Sequence, residues 1–290
     1  MTEQTVYLNG EFVPLSQARV PVLDRGFIFG DGVYEVVPVY ERRPFRWAEH
    51  LRRLERSLSK TRIANPMSAA QWTDLVDSLI ARHPWQDQFV YLQVTRGVAK
   101  RDHAFPAGIA PTVFAMTSPL TLPAAEQVEA GVAAITMPDE RWLHCDIKST
   151  SLLGNVFARQ AAVDAGAFES ILFRGDALTE ASASNVWVVR DGRVLAPPRD
   201  NLILEGIRYG LVEQLCRSLG IAFEARRLSR AEVASADELM LSSATKELIA
   251  VTRLDGKPVG SGRPGPVFRR LYDAYQQAKR ASAQAAPAPR

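Results

Sequence analysis

The sequence predicts an α+β protein in two domains. Short strand-like runs and amphipathic helical runs are interspersed, without the strict strand–helix alternation of a doubly wound sheet. Asn9-Gly10, Asp191-Gly192 and Asp255-Gly256 each lie between a pair of strand-like runs, and such dipeptides tolerate the positive φ angles of a tight hairpin. The length of 290 residues, at about 100–200 per domain, suits one large domain or two smaller ones.

The first expected element is a hairpin of residues 6–8 and 11–13, followed by a Val- and Tyr-rich strand at 33–40. Trp47, Leu51, Leu54 and Leu58 recur at helical spacing, and the other face of that helix carries Arg52, Arg53, Glu55 and Arg56. A second helix is expected over 69–82, with strands at 89–95 and 112–118. These form a small N-terminal α/β domain, 1–120. Pro123 and its polar neighbours place an interdomain linker at 121–133. A strand at 132–136 leads into a larger C-terminal domain, 134–280. It should hold helices at 155–165, 207–219 and 267–279, the first closed by Gly166 and the second by Gly220. Its strands are expected at 170–173, 185–190, 193–196 and 238–241, with a hairpin of 251–254 and 257–259. The Ala- and Pro-rich end, 281–290, reads as a disordered tail.

Composition narrows the function. The net charge of +3 is too small to call for a nucleic-acid or membrane partner, and 47% hydrophobic with 23% charged residues is ordinary for a globular chain. Two cysteines, Cys145 and Cys216, exclude a disulfide scaffold and a Cys-rich metal site, and suit a reducing compartment. No apolar run approaches the ~18–20 residues of a membrane span, and residues 1–6 lack the pattern of a signal peptide. A cytoplasmic enzyme is expected. There is no P-loop, and His50, His83, His103 and His144 show no H-E-x-x-H spacing.

Three segments stand out from plain scaffolding. Lys148 lies among apolar and small residues before Ser149-Thr150-Ser151. A lysine in a partly desolvated place has a lowered pKa and becomes a nucleophile for carbonyl carbon; the plain alternative is a solvated loop lysine. Glu180, in Thr179-Glu180-Ala181-Ser182-Ala183-Ser184-Asn185, stands at a strand entry where a carboxylate could be held fixed, although the same residues also make ordinary turns. Arg101 and His103 follow a strand, two residues apart, and could grip a carboxylate; the alternative is a solvated basic loop.

Together these segments resemble the pyridoxal-phosphate aminotransferases of fold type IV, and within them the branch acting on D-amino acids. The resemblance rests on Asp24-Arg25-Gly26-Phe27-Ile28-Phe29-Gly30-Asp31-Gly32-Val33-Tyr34-Glu35, on the Arg-x-His-x-Phe-Pro run from Arg101 to Pro106, and on residues 141–154 around Lys148. It also rests on residues 179–185 and on Leu202-Ile203-Leu204-Glu205-Gly206-Ile207, and it keeps its order over 5–280. It implies a two-domain fold type IV enzyme, a homodimer, and pyridoxal 5'-phosphate as cofactor. Lys148 would be the Schiff-base lysine and carry the proton at the substrate α-carbon. Glu180 would face the pyridine nitrogen. Leu204 would pack on the ring, and Arg53 would bind the phosphate.

The resemblance further implies that the backbone N–H groups of Ile207 and Arg208 cap the phosphate, with Ser243, Ala244, Thr245 and Ser184 also at the cofactor. Tyr34, Arg101 and His103 would hold the substrate α-carboxylate, the latter two from the neighbouring subunit. Substrates would be D-amino acids such as D-alanine and D-glutamate, with pyruvate and 2-oxoglutarate as 2-oxo acids, in a ping-pong cycle. Arg208 and Ala244 depart from the family, which carries Thr at both, and Ala183 stands where Ser is common. Either an inward Arg208 replaces the lost hydroxyls with a charge, or Thr245 or Ser243 supplies one. The alternatives on the same fold are an L-branched-chain aminotransferase, an (R)-selective amine transaminase and an aminodeoxychorismate lyase. From a different class comes a cofactor-binding protein without transaminase activity.

Overall fold

In the structure, a computed structural model that describes residues 3–284, the chain forms two units. Among the described residues, unit 1 takes those up to Thr121 together with Ile147–Leu152, and unit 2 takes Leu122–Asp146 and Leu153–Gln284.

Unit 1 contains β1 (Thr5–Leu8), β2 (Glu11–Pro14), α1 (Arg25–Phe29), β3 (Gly32–Tyr40), β4 (Arg43–Pro44), α2 (Trp47–Thr61), α3 (Ala69–Ala81), β5 (Gln88–Thr95) and β6 (Thr112–Pro119). The strands form an antiparallel sheet in the order β2-β1-β6-β5-β3-β4. Asn9 (φ +47°) and Gly10 (φ +106°) make the expected first hairpin turn. Ser68 starts α3 with a reciprocal cap: its hydroxyl accepts the Gln71 N–H, and the Gln71 side chain accepts the Ser68 N–H. The apolar faces of α2 and α3, with Leu54, Leu58 and Trp72, pack on Val37, Val90 and Leu92 of the sheet.

A charge lies inside this core. The period of two along β3 sets Val33, Glu35, Val37 and Val39 on one face, and all four are fully buried. Glu35 is matched from α2. His50 Nδ1 lies 2.7 Å from its Oε2, and Arg53 donates from Nε to Oε1 at 2.7 Å and from Nη2 to Oε2 at 2.8 Å. Arg53 therefore corrects its expected place on the polar face of the helix. Arg52, Glu55 and Arg56 are exposed, whereas Arg53 is buried because a carboxylate waits for it in the core. Burial alone would push the Glu35 carboxyl up, but the charge and hydrogen bonds of Arg53, with His50, outweigh it and hold the pKa at about 2.

Ile147–Leu152, expected within the large domain, belongs to unit 1. The Tyr34 N–H donates to the Lys148 carbonyl and the Thr150 N–H to the Gly32 carbonyl, each at 2.9 Å, so the segment is laid against the start of β3. Such long-range pairing leaves no local pattern in the sequence.

Unit 2 contains α4 (Ala125–Ala130), β7 (Val132–Pro138), α5 (Leu153–Asp164), β8 (Glu169–Arg174), β9 (Ala177–Ala181), β10 (Asn185–Arg190), β11 (Arg193–Ala196), α6 (Ile207–Ser218), β12 (Phe223–Ala225), α7 (Arg230–Ala234), β13 (Glu238–Ser243), β14 (Glu247–Leu254), β15 (Lys257–Pro258) and α8 (Pro266–Gln284). Its mixed sheet runs β12-β11-β10-β13-β14-β7-β8-β9, with β15 beside β14. The pairs β14/β7, β7/β8 and β11/β12 are parallel. Strands such as β8, β10 and β13 are buried along almost their whole length, which explains their continuous apolar runs. Glu238 caps α8 with both carboxylate oxygens, accepting the Val267 N–H at 2.9 Å and the Phe268 N–H at 2.8 Å.

The stretch 121–133, expected as a linker, carries α4 and the start of β7. The last helix runs through Gln284, into the segment expected to be disordered, because Ala281 and Ala283 are strong helix formers. The rest of that expected tail, 285–290, lies outside the described residues.

Two outcomes follow from unit 1. Gly97 has φ +107°, and a Cβ there would fall 2.1 Å from the Ala110 carbonyl oxygen. Gly97→Ala is therefore expected to lower the unfolding free energy by about 2 kcal/mol or more, read from denaturant midpoints. Glu35 has a depressed folded pKa, so its ion cluster stabilises the fold above about pH 4.5 and loses that contribution as the pH falls towards 2. Glu35→Gln should be destabilised near neutrality by about 3 kcal/mol and should show a flatter acid limb in stability measured against pH.

Candidate active site

The expected site residues divide between the units. Tyr34, Arg53, Arg101, His103 and Lys148 belong to unit 1, and Glu180, Ser184, Leu204, Ile207, Arg208, Ser243, Ala244 and Thr245 to unit 2.

In unit 1 the structure brings Lys148 and Tyr34 together. The backbone pairing of 148–150 with Gly32 and Tyr34 fixes the lysine, and its Nζ lies 4.0 Å from the centroid of the Tyr34 ring. The Lys148 N–H donates to Ser57 Oγ at 3.3 Å, one helical turn beyond Arg53 on α2. Tyr34 stands 5.6 Å from Tyr91, ring to ring, and burial pushes the Tyr91 hydroxyl up to about 12. Arg101 and His103 occupy an exposed loop after β5, and both lie beside Phe29. The His103 ring and the Arg101 guanidinium carbon are each 5.3 Å from the Phe29 centroid.

In unit 2 Glu180 is not at a strand entry but within β9, which pairs with β8. Antiparallel pairing after a tight turn at Gly175 (φ +61°) draws Thr179, Glu180 and Ala181 into the strand, while 182–184 stay outside it. Its carboxylate is buried. Oε1 accepts Arg141 Nη1, and Oε2 accepts the Leu204 N–H at 3.1 Å and Asn185 Nδ2 at 3.4 Å. Arg141 is held in turn by Asp139, Nη2 to Oδ2 at 2.9 Å, and Thr179 donates to the same oxygen at 2.8 Å. Burial raises the Glu180 pKa, and Arg141 only partly opposes it.

Asn185 also donates to the Leu204 carbonyl at 2.9 Å, so Glu180, Asn185 and Leu204 form one group. Gly206 follows at the N-cap of α6. A Cβ there would fall 2.1 Å from Asn185 Oδ1, so only glycine lets the helix start this close. No side chain caps α6, and its first N–H groups, including those of Ile207 and Arg208, form a helix N-terminus suited to an anion. The Arg208 side chain is turned inward and buried. It donates from Nε to the Tyr275 hydroxyl at 3.1 Å and from Nη2 to the Ala244 carbonyl at 3.3 Å. That bond ties the turn of Ser243, Ala244 and Thr245 to α6. Ser243 Oγ accepts the Lys246 N–H at 3.2 Å. The Ser184 hydroxyl donates to Glu169 Oε2 at 3.2 Å, beside Lys246 Nζ, which donates to the same oxygen at 3.0 Å.

This donor set could hold a phosphorylated ring with a basic nitrogen. The raised pKa of Glu180 means that its charged form is under-compensated, and an apposed cation would stabilise it. The α6 N-terminus with nearby hydroxyls suits a phosphate. Unit 1, by itself, offers the Lys148 amine. Sequence reasoning assigned no role to Asp139, Arg141, Asn185, Glu35 or His50. The signal for Glu35 was present, since it is a carboxylate in the period-two Val stripe of β3. Arg141 and Asn185 fall in the segments 141–154 and 179–185 that carry the resemblance, but their hold on Glu180 shows only in the fold; Asp139 and His50 carried no such signal.

A family model described as amino-transferase class IV matches residues 32–254. A D-alanine aminotransferase of Bacillus licheniformis is 42% identical over 271 residues, covering 93% of this chain and 95% of that protein. One from Staphylococcus aureus (strain MSSA476) is 37% identical over 275 residues, covering 94% and 97%. Among solved structures, a branched-chain amino acid aminotransferase of Escherichia coli superposes with a TM-score of 0.90 at 26% identity, covering 95% of this chain and 94% of that one. With the family match running through most of the chain and relatives this similar over nearly their whole length, the chain belongs to the class IV amino-transferases.

Proposed function

We propose that the protein is a pyridoxal 5'-phosphate-dependent D-amino-acid transaminase. It would move the amino group of D-alanine- or D-glutamate-type donors to a 2-oxo acid such as pyruvate or 2-oxoglutarate. The observation that carries the reading is the Lys148 amine held over the Tyr34 ring in a chain 42% identical to a D-alanine aminotransferase. The pairing of Arg101 and His103 beside Phe29 supports a carboxylate-bearing substrate.

When bound, the cofactor supplies an aldehyde for the amino group and a ring that withdraws electrons from the substrate α-carbon. Lys148 Nζ would hold that aldehyde, and once free its amine would be the base that carries the substrate α-proton. Glu180, its carboxylate oriented by Arg141 and the Leu204 N–H, would pair with the ring nitrogen and keep it protonated. Leu204 would pack on the ring. Arg53, the N–H groups of Ile207 and Arg208, and the hydroxyls of Ser243 and Thr245 would hold the phosphate, with Ala244 and Ser184 lining the same place. Arg208 would act by tying the Ala244 turn to α6, leaving Ser243 and Thr245 to supply the hydroxyls. Tyr34, Arg101 and His103 orient the substrate carboxylate, and this sets which hydrogen faces Lys148.

We assign the active form to a homodimer in which Arg101 and His103 serve the neighbouring subunit. Val22, Phe27 and Phe105 are exposed on unit 1, and Leu153, Val156, Phe157 and Val163 are exposed along α5 of unit 2, which supports self-association through apolar surface. Among the described residues, no helix is long and apolar enough to cross a membrane. The two cysteines are unpaired and buried, which suits the reducing cytoplasm. A second reading, transamination of L-branched-chain amino acids, is favoured by the superposition on the Escherichia coli enzyme.

The deciding measurement is the visible absorption of the purified holoenzyme before and after D-alanine, L-alanine or L-leucine. Loss of the band with D-alanine alone is expected. Loss with L-leucine alone would install the second reading. Lys148→Ala should lower turnover by about 10³-fold or more while cofactor can still be retained by the phosphate contacts, because the proton carrier is gone.

A further inference from the structure

Asp31 lies in unit 1 between α1 and β3 and has no role in the proposed chemistry. Its Oδ2 accepts Arg25 Nε and Arg96 Nε, each at 2.7 Å, and its Oδ1 accepts Arg96 Nη2 at 3.0 Å. The backbone closes the same cluster: the Arg96 N–H donates to the Asp31 carbonyl at 3.0 Å, and the Arg25 N–H to the Gly97 carbonyl at 2.9 Å. Both arginines are buried. Burial alone would raise the Asp31 pKa, but the hydrogen bonds and charges of Arg96 and Arg25 overturn this and hold it below the usual carboxylate range.

The far side of each guanidinium is given to the loop 101–106. Arg25 Nη1 donates to the Asp102 carbonyl and, at 3.3 Å, to the Ala104 carbonyl, and its Nη2 lies 3.5 Å from the His103 carbonyl. The Arg96 guanidinium carbon lies 3.7 Å from the centroid of Phe105, while its terminal nitrogens donate to the Thr61 and Arg62 carbonyls. Phe29, the ring beside Arg101 and His103, lies 4.8 Å from the Arg25 guanidinium carbon. The anchors thus grip backbone carbonyls and the Phe105 ring, and the side chains of Arg101 and His103 stay exposed. A guanidinium can meet successive carbonyls only if its plane is fixed, and the carboxylate of Asp31 fixes both planes.

We infer that Asp31 is a positioning residue for substrate binding: through Arg25 and Arg96 it sets the backbone of 101–106, and so the placement of Arg101 and His103. The inference rests on the reading of those two residues as the grip on the substrate carboxylate. That grip is the same in the bound substrate and in the transition state. Loosening it therefore raises KM and leaves kcat nearly unchanged.

The test is Asp31→Asn in the holoenzyme, which keeps the size of the side chain and removes its charge. Kinetics with D-alanine and 2-oxoglutarate would be read together with amide hydrogen exchange by mass spectrometry. The expected result is a KM for D-alanine raised about tenfold with kcat within about twofold, and faster exchange in 101–106 with that of α3 unchanged. Unchanged exchange in 101–106, or a fall in kcat at constant KM, would overturn the inference. Phe105→Leu is a second variant, at an exposed position where folding is not at stake. It removes the surface under Arg96 and should move exchange and KM in the same direction to a smaller extent; no change in either also overturns the inference. Arg101→Ala separates the two levels. If it leaves the KM for D-alanine unchanged, the reading of the grip fails, and the exchange data alone decide whether Asp31 sets the loop. If it raises KM and Asp31→Asn does not, only the role of Asp31 falls.

Discussion

A carboxylate buried in the apolar core of unit 1 constrains much of what surrounds it. Glu35 sits among Val33, Val37 and Val39, and an unpaired charge there would cost several kcal/mol. The position is tolerable only because α2 delivers Arg53 and His50 to it. The requirement runs both ways: Glu35 fixes the rotation of α2 about its axis, and that rotation places Ser57 where it receives the Lys148 N–H. Because Tyr34 neighbours Glu35 on the same strand, the backbone that carries the buried charge also carries the ring beneath Lys148. Packing, ion pairing and the setting of the lysine are thus one arrangement.

Unit 2 applies the same physics with a different balance. Glu35 receives two bonds from one guanidinium and its pKa falls. Glu180 shares Arg141 with Asp139, is otherwise met by an amide side chain and a backbone N–H, and its pKa rises. The difference follows from how much positive charge each burial receives. The Glu35 carboxylate is compensated in full, whereas Glu180 receives less positive charge than its burial demands. The neighbouring α6 N-terminus adds a second uncompensated site of the opposite sign, made of backbone alone.

Periodic patterns are a reliable guide where burial is on one side. The Trp47, Leu51, Leu54 and Leu58 series, the 33–40 strand and the hairpins at Asn9-Gly10, Asp191-Gly192 and Asp255-Gly256 all form as expected. The resemblance singles out Arg53 against its place in the helical pattern, and burial explains the conflict, since a paired arginine can occupy a core face. The local pattern around Glu180 suggests a turn because Ser182, Ala183 and Ser184 are turn-like, yet the residues before them complete an edge strand. α4 is rich in the helix formers Ala, Glu and Gln, a short run beside Pro123 that reads equally as a linker, whereas no local signal marks the placing of Ile147–Leu152 in unit 1.

The sequence by itself determined the secondary elements with strong periodicity, the glycines of the hairpin turns and helix ends, and the family to which the chemistry belongs. Those follow from side-chain spacing and from residue types that few backbones accept. The tertiary structure decided which charges are compensated: Arg53 against Glu35, Arg141 between Asp139 and Glu180, Arg208 against Tyr275 and the Ala244 carbonyl, and Asp31 between Arg25 and Arg96. Most of them join residues far apart along the chain, as Arg141 with Glu180 and Asp31 with Arg96. The energy of such a pair depends on distance and desolvation in three dimensions, and neither quantity is written in the order of the residues.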